Sequence, residues 1–198
     1  MLTIYGMSDS GNCYKVKLAA EQVRVPYRWV EVDSTKGETR TPAFLAKNPN
    51  GKVPTLGLDD GSFLPESNAI LHYLAEGTPL LPMERLARAR VLQWMFFEQY
   101  SHEPYVAVAR FWLTHDIPHE EEALAERQQG GYRALDAMES HLGGREYLVG
   151  DRCSIADIAL YAYTHVADEG GFDLGRYAAI RAWLDRIAAQ PGHVTIDA

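Results

Sequence analysis

Hydrophobic spacing along this chain changes period once, at Gly77-Thr78-Pro79-Leu80-Leu81-Pro82. Before that point, short runs alternating every second residue are interleaved with helical stretches. After it, apolar residues recur every three or four positions almost throughout. Two prolines and a glycine in six residues cannot continue a strand or a helix, so the segment reads as a linker. A chain patterned this way folds as an α/β domain followed by an all-helical one, not as one sandwich or one bundle.

Within the first part, Leu2-Thr3-Ile4-Tyr5 is a strand and Ser8-Asp9-Ser10-Gly11-Asn12 a turn. Val16, Leu18, Ala19, Ala20 and Val23 then share a helical face, and Pro26 stops the helix. Tyr27 to Val32 alternates as a second strand, giving a βαβ unit with parallel strands. The order is completed by a short helix over 42–47, a strand over 53–58, a hairpin turn at Asp59-Asp60-Gly61, a strand over 62–64 and a helix over 67–76. The expected division is therefore 1–76 for the α/β domain (βαβ-α-ββα), 77–84 for the linker and 85–198 for the helical domain. Helices are expected there over 85–101, 104–114, 120–142, 154–166 and 177–190, with Pro104 kinking the first or starting the second.

Composition excludes several classes. The 198 residues are 46% hydrophobic and 23% charged, which suits a folded core and not a disordered chain. No run of 18 apolar residues occurs, so no membrane-spanning helix is expected. Met1 leads straight into the first strand, with no signal-peptide pattern. Cys13 and Cys153 are far apart and form neither a disulfide framework nor a zinc spacing, as in a reducing cytoplasm. His115 and His119 are four apart, but Pro118 intervenes and no third ligand is evident, so no metal is expected. Net charge is −8, which argues against nucleic acid as a partner. That charge is uneven. Residues 1–76 carry eight basic and nine acidic side chains, including all five lysines, whereas residues 77–198 carry eleven and eighteen.

Three local features can carry chemistry. Ser10-Gly11-Asn12-Cys13 lies where strand one meets helix one, at the positive end of a helix dipole. A thiol-disulfide enzyme needs a cysteine at the first position of C-x-x-C; here that position is Ser10, suited either to donating a hydrogen bond to a thiolate or simply to capping the helix. Val53-Pro54 opens a strand. Most such bonds are trans, only about 5–6% of X–Pro bonds being cis, but a cis bond would turn the Val53 backbone outward to pair with an extended peptide. Glu66-Ser67 opens the next helix, with Ser67 as N-cap and free N–H groups for a carboxylate.

Asn50-Gly51-Lys52-Val53-Pro54, Asp60-Gly61 and Leu64-Pro65-Glu66-Ser67-Asn68-Ala69-Ile70-Leu71-His72-Tyr73-Leu74 resemble, in order and spacing, the glutathione-binding half of the glutathione transferase superfamily. Ser154-Ile155-Ala156-Asp157-Ile158-Ala159, preceded by Leu148-Val149-Gly150-Asp151, resembles the capping box of its helical domain. The resemblance covers nearly the whole chain. It implies a thioredoxin-like first domain, glutathione as co-substrate, and a cytoplasmic homodimer that attacks an apolar electrophile with the glutathione thiolate; glutathione-dependent reduction of disulfides or peroxides, and a non-catalytic interaction module of the same fold, are the alternatives. It also implies residue roles. Val53, before a cis Pro54, pairs with the cysteinyl backbone, while Glu66 and Ser67 hold the γ-glutamyl ammonium and carboxylate. Lys52, with Lys36 and Arg40, faces the glycyl carboxylate. Ser10 falls where serine-type classes such as theta and delta carry the activating hydroxyl. Asn12 lies two residues on, a spacing used by some bacterial members related to the nu class. Ser8 and Tyr5 remain alternatives to Ser10 and Asn12. His102, Tyr105 and Val106, around Pro104, are expected to line the electrophile pocket. Lys15, Lys17 and Lys47 are expected to be solvated.

Overall fold

A computed structural model describes residues 1–198, which form two compact units. The first unit contains Met1–Pro79 and also Gln190–Ala198; the second is Leu80–Ala189.

In the first unit, β1 (Leu2–Gly6), α1 (Gly11–Gln22) and β2 (Tyr27–Glu31) make the βαβ unit, with β1 and β2 parallel from Leu2↔Tyr27 to Gly6↔Glu31. A short α2 (Pro42–Leu45) precedes β3 (Thr55–Gly57), β4 (Phe63–Pro65) and α3 (Ser67–Ala75). Both later strands run antiparallel to their neighbours, and the sheet order is β2-β1-β3-β4. This is the thioredoxin-like arrangement expected. Gly6 has no side chain because a Cβ there would lie 2.5 Å from the Trp29 ring across the ladder. The third strand is shorter than its sequence pattern, since Val53 and Pro54 lie before it.

α1 is buried on most sides, with Cys13, Tyr14, Lys15, Val16, Leu18, Ala19 and Ala20 all buried. The chain's C-terminal residues account for part of this cover. Tyr14 donates its hydroxyl to the Val194 carbonyl at 2.7 Å, and Lys17 Nζ donates to the Ala198 carbonyl. Residues 190–198 therefore serve the first unit, although their position in the sequence assigns them to the helical one.

The second unit is helical: α4 (Arg85–Phe97), a π-helical segment Glu98–His102, α5 (Glu103–Thr114), α6 (Glu121–Leu142), α7 (Ile155–Thr164) and α8 (Ala178–Ala188). Pro104 sits in the first turn of α5, directly after the π-helical segment, where the hydrogen-bonding register changes. All ten residues of α7 are buried, so this helix forms the centre of the unit. Gly130 and Gly131 let α6 take rings against its backbone. A Cβ on the first would meet Tyr105 at 2.1 Å, and one on the second would meet Phe172 at 2.4 Å.

The capping box at the start of α7 is present as the sequence predicts. Asp157 is fully buried, and its carboxylate accepts four hydrogen bonds: from Leu148 N and Trp183 Nε1 on Oδ1, and from Ser154 N and Ser154 Oγ on Oδ2, all at 2.8–2.9 Å. Burial pushes this carboxyl up and the four donors oppose it. Asp157→Ala leaves buried donors unmatched across α7, α8 and the 148–154 loop. It is expected to lower stability by about 3 kcal/mol, read from the urea midpoint of the full chain.

Candidate functional site

Two helix N-termini meet in the first unit. At the first, Ser10 caps α1, and its Oγ accepts the Cys13 N–H at 3.4 Å. Accepting that bond leaves the hydroxyl proton of Ser10 for another acceptor. The capping and donor readings of Ser10 are thus compatible. The loop before it is pinned by Glu31, whose carboxylate accepts from Ser8 N (2.9 Å), Ser8 Oγ (2.7 Å) and Trp29 Nε1 (2.7 Å). Partial burial would raise the Glu31 carboxyl, but these donors hold it below its ordinary value. The hydroxyl proton of Ser8 is committed to Glu31, which removes Ser8 from the candidate thiolate donors. Tyr5 lies mid-strand, paired with Val30 and Thr55. Its ring sits 6.2 Å from that of Phe63 and under the Lys47 ammonium at 5.6 Å. That is a packing role.

The second N-terminus belongs to α3. Glu66, not Ser67, is its N-cap, and Ser67 is the first helical residue. Only Glu66 separates β4 from α3, and it makes this turn with φ 73° and ψ 113°, a conformation rarely adopted by a residue with a Cβ. The buried Ser67 donates its hydroxyl to Asn12 Oδ1 at 3.0 Å, joining residues 55 apart in sequence. With its hydroxyl so engaged, Ser67 offers a carboxylate its backbone N–H, which no residue of α3 can accept.

Between these ends runs the 48–54 segment. Asn48 is buried and clamps it: Nδ2 donates to the Lys52 carbonyl (2.7 Å) and to Thr55 Oγ1 (3.2 Å), and Oδ1 accepts from Asn50 N (3.0 Å). The Val53–Pro54 bond is cis, as the resemblance implies and contrary to the commoner arrangement. No backbone–backbone hydrogen bond of the protein engages the Val53 N–H or C=O. Arg40 reaches the same segment, donating Nη1 to the Asn50 carbonyl at 3.2 Å beside Gly51 (φ +62°). Lys52 is exposed next to it. Lys36 is exposed but paired with Asp33 at 2.8 Å, so its charge is already countered. The Lys36 ammonium, ahead of the Thr35 hydroxyl, holds the Asp33 carboxyl well below the usual carboxylate range.

Several expectations require correction. Lys15 is not solvated: it has no solvent exposure, and its ammonium donates to Asn12 Oδ1 at 2.7 Å. Lys17 and Lys47 are half-covered, lying over the Trp29 ring and over the Tyr5 and Phe63 rings respectively. In the helical unit, His102 and Val106 are fully buried and cannot line an open pocket. His102 Nε2 bonds Thr164 Oγ1 at 3.0 Å; because the Thr164 hydroxyl donates to the Leu160 carbonyl at 2.7 Å, the histidine is the donor. Tyr105 does line a cavity of about 240 Å³, together with Phe97, Tyr100, Ser101, Gly130 and Arg133. Glu31, Asn48 and Lys15 were missed by sequence reasoning. Only Asn12-x-x-Lys15, a helical i,i+3 spacing, carried a usable signal.

No group of three or more His, Cys, Asp or Glu side chains is placed to hold a metal ion. His115 packs on Phe111 and His119 stacks on Trp112.

Residues 4–81 match the family model for the glutathione S-transferase N-terminal domain, and residues 94–191 match the model for its C-terminal domain. The chain superimposes on a glutathione S-transferase from Pseudomonas fluorescens with a TM-score of 0.96, 57% identity and 98% of each chain covered. It is 33% identical to the disulfide-bond oxidoreductase YfcG of Escherichia coli, over 96% of this chain and 92% of that protein. A second P. fluorescens glutathione transferase family member, crystallised with two glutathione molecules bound, is 27% identical with a TM-score of 0.83, over 96% of this chain and 89% of that one.

Burial pushes the Cys13 thiol up to about 12, against weaker lowering by Ser10 and Met7, and burial likewise raises Cys153. At pH 8 Cys13 is then held as the thiol, which is not the nucleophilic form. Both cysteines are free and buried. Neither is expected to react with a disulfide reagent at pH 8 until guanidinium unfolds the chain; a rapidly titrating native thiol, counted by thionitrobenzoate release, would contradict this.

Proposed function

The chain belongs to the glutathione S-transferase superfamily, and we propose that it is a glutathione transferase that ionises the glutathione thiol for attack on an apolar electrophile. The observation that carries the reading is the Asn12–Ser67 hydrogen bond. It fixes the sulfur-facing N-terminus of α1 against the N-terminus of α3, so one tripeptide spans both. The γ-glutamyl carboxylate sits on the Ser67 N–H and its ammonium on Glu66. The cysteinyl backbone pairs with Val53, and the glycyl carboxylate meets Lys52 and Arg40, with Lys36 a weaker contributor because of Asp33.

Ser10 and Asn12 then act on the thiol. A free thiol ionises near 8.5. Lowering this by about two units, about 2.7 kcal/mol, makes thiolate the major form at neutral pH. A hydroxyl donor, the amide of Asn12 and the positive end of α1 are groups of the right kind. The thiol proton leaves to solvent. The sulfur lone pair forms a C–S bond as the leaving group departs with its electron pair. Cys13 and Cys153 are buried, so the nucleophile is the co-substrate's sulfur and not the protein's.

One observation favours a second reaction, the likeness to a disulfide-bond oxidoreductase. With both protein thiols buried, disulfide reduction would run through glutathione alone. One glutathione thiolate attacks the substrate disulfide, breaking its S–S bond and releasing one substrate thiol as the mixed disulfide forms. A second glutathione thiolate attacks the mixed disulfide, releasing the other substrate thiol and leaving glutathione disulfide.

The homodimer and the cytoplasmic location are part of the same proposal. Leu92, Phe96 and Tyr100, four residues apart on one stripe, are 39%, 70% and 86% exposed, an apolar surface suited to a second copy. Two unpaired cysteines suit a reducing compartment.

Ser10→Ala is expected to lower kcat/KM towards an aryl halide by about a hundredfold, while the Kd for S-methylglutathione changes by less than about twofold; an unchanged rate would move the role to Asn12. Turnover of a mixed disulfide but not of an aryl halide by the native chain would select the second reaction. Sedimentation is expected to give twice the 22.2 kDa chain mass, and Phe96→Asp to give the single chain; a native monomer would contradict the dimer.

A further inference from the structure

We propose that Lys15 is a positioning residue for the thiolate: its buried ammonium orients and polarises the Asn12 amide. This rests on the glutathione-thiolate reading above and extends it to a group with which no substrate need make contact.

Lys15 is the one lysine of the chain with no solvent exposure, and burying an ammonium is costly unless its N–H groups find acceptors. Asn12, one turn earlier on α1, supplies an acceptor at 2.7 Å. An ammonium has three donors and no acceptor, so the atom of Asn12 facing it must be the carbonyl oxygen. That fixes the amide orientation by chemistry. The same oxygen accepts from Ser67 Oγ at 3.0 Å; a hydroxyl can donate or accept, so it is the Lys15 ammonium that fixes which way the amide faces. The amide nitrogen, on the other limb of the planar group, then turns its N–H donors away from Lys15 and Ser67.

A positive charge on the oxygen side also strengthens the donors. Withdrawing electron density through the conjugated amide makes its N–H groups more positive, and linked hydrogen bonds polarise one another in a site shielded from water. A thiolate accepting from Asn12 is thereby held by a neutral amide backed by a full charge. An apolar residue at position 15 would remove both effects, because Asn12 could then rotate its amide freely between the two orientations.

The test reads thiolate ultraviolet absorbance of glutathione bound to the full chain. Lys15→Met is expected to lower the ionisation constant of the bound thiol about tenfold. Its Kd for S-methylglutathione, which has no thiol to ionise, should change less than about twofold. In an Asn12→Ala background the same substitution should add nothing, since the effect passes through Asn12. Lys15→Arg, which keeps the cation, should restore most of the ionisation. Should Lys15→Met not fold, Lys15→Gln keeps a donor and loses the charge, and a smaller shift in the same direction is expected. An ionisation constant unmoved by these neutral substitutions overturns the proposal. So does a full shift in the Asn12→Ala background, or an equal loss of S-methylglutathione binding, which marks a purely structural lysine. If the native chain itself shows no bound thiolate, the underlying glutathione reading fails instead.

Discussion

One oxygen atom ties the first unit together at its working end. Asn12 Oδ1 accepts from Lys15 on its own helix and from Ser67 on another. An amide is well chosen for this place. A carboxylate there would bring a negative charge to the spot where the proposed thiolate would form, and an aliphatic residue would leave the Lys15 ammonium without that acceptor. Around this oxygen the other parts are held by polar groups that never meet the ligand: Glu31 grips the loop into α1, and Asn48 grips the segment before β3. The site is thus a set of backbone and hydroxyl groups presented by three buried or half-buried polar clamps. This is why it can be rigid although two of its three segments are loops.

The period change at residues 77–82 and the turn residues made the two-part architecture legible, because strand and helix spacing are local properties of the chain. The candidate site residues Ser10, Val53, Glu66 and Ser67 were legible because they form a spaced pattern. Lys15 was not. A lysine among Lys17, Arg24 and Arg28 looks like surface, and only tertiary packing, which local spacing does not encode, makes its environment an interior. Asn48-Pro49-Asn50-Gly51 has the composition of a turn, but nothing in that composition marks Asn48 as buried and bonded to Lys52 and Thr55. His102 and Val106 were misplaced for a related reason. A proline marks where a helix starts, but it does not say which face turns inward. Here the π-helical Glu98–His102 segment shifts the register before α5, and His102 turns to Thr164 of α7 while Val106 lies beside Gly131 of α6.

The chemistry follows a simple division of labour. The chain keeps its two thiols buried and protonated, so a thiol delivered by a ligand would face no competing protein thiolate and no internal disulfide partner. The Glu66 backbone, at φ 73°, shows where the fold accepts strain of about 1–3 kcal/mol to end a strand and start a helix within one residue. Relaxed geometry there would need a longer connection and would carry the α3 N-terminus away from Asn12.

Residues 190–198 belong to the first unit, packed on α1 through Tyr14 and Lys17. During synthesis they leave the ribosome after all of residues 80–189. The α/β unit therefore cannot close over α1 while it is being made. It waits, with the Tyr14 face of that helix uncovered, until the whole helical unit has been translated. The cover of α1 is thus completed last, and a change at Val194 would be felt at the helix that Ser10 caps.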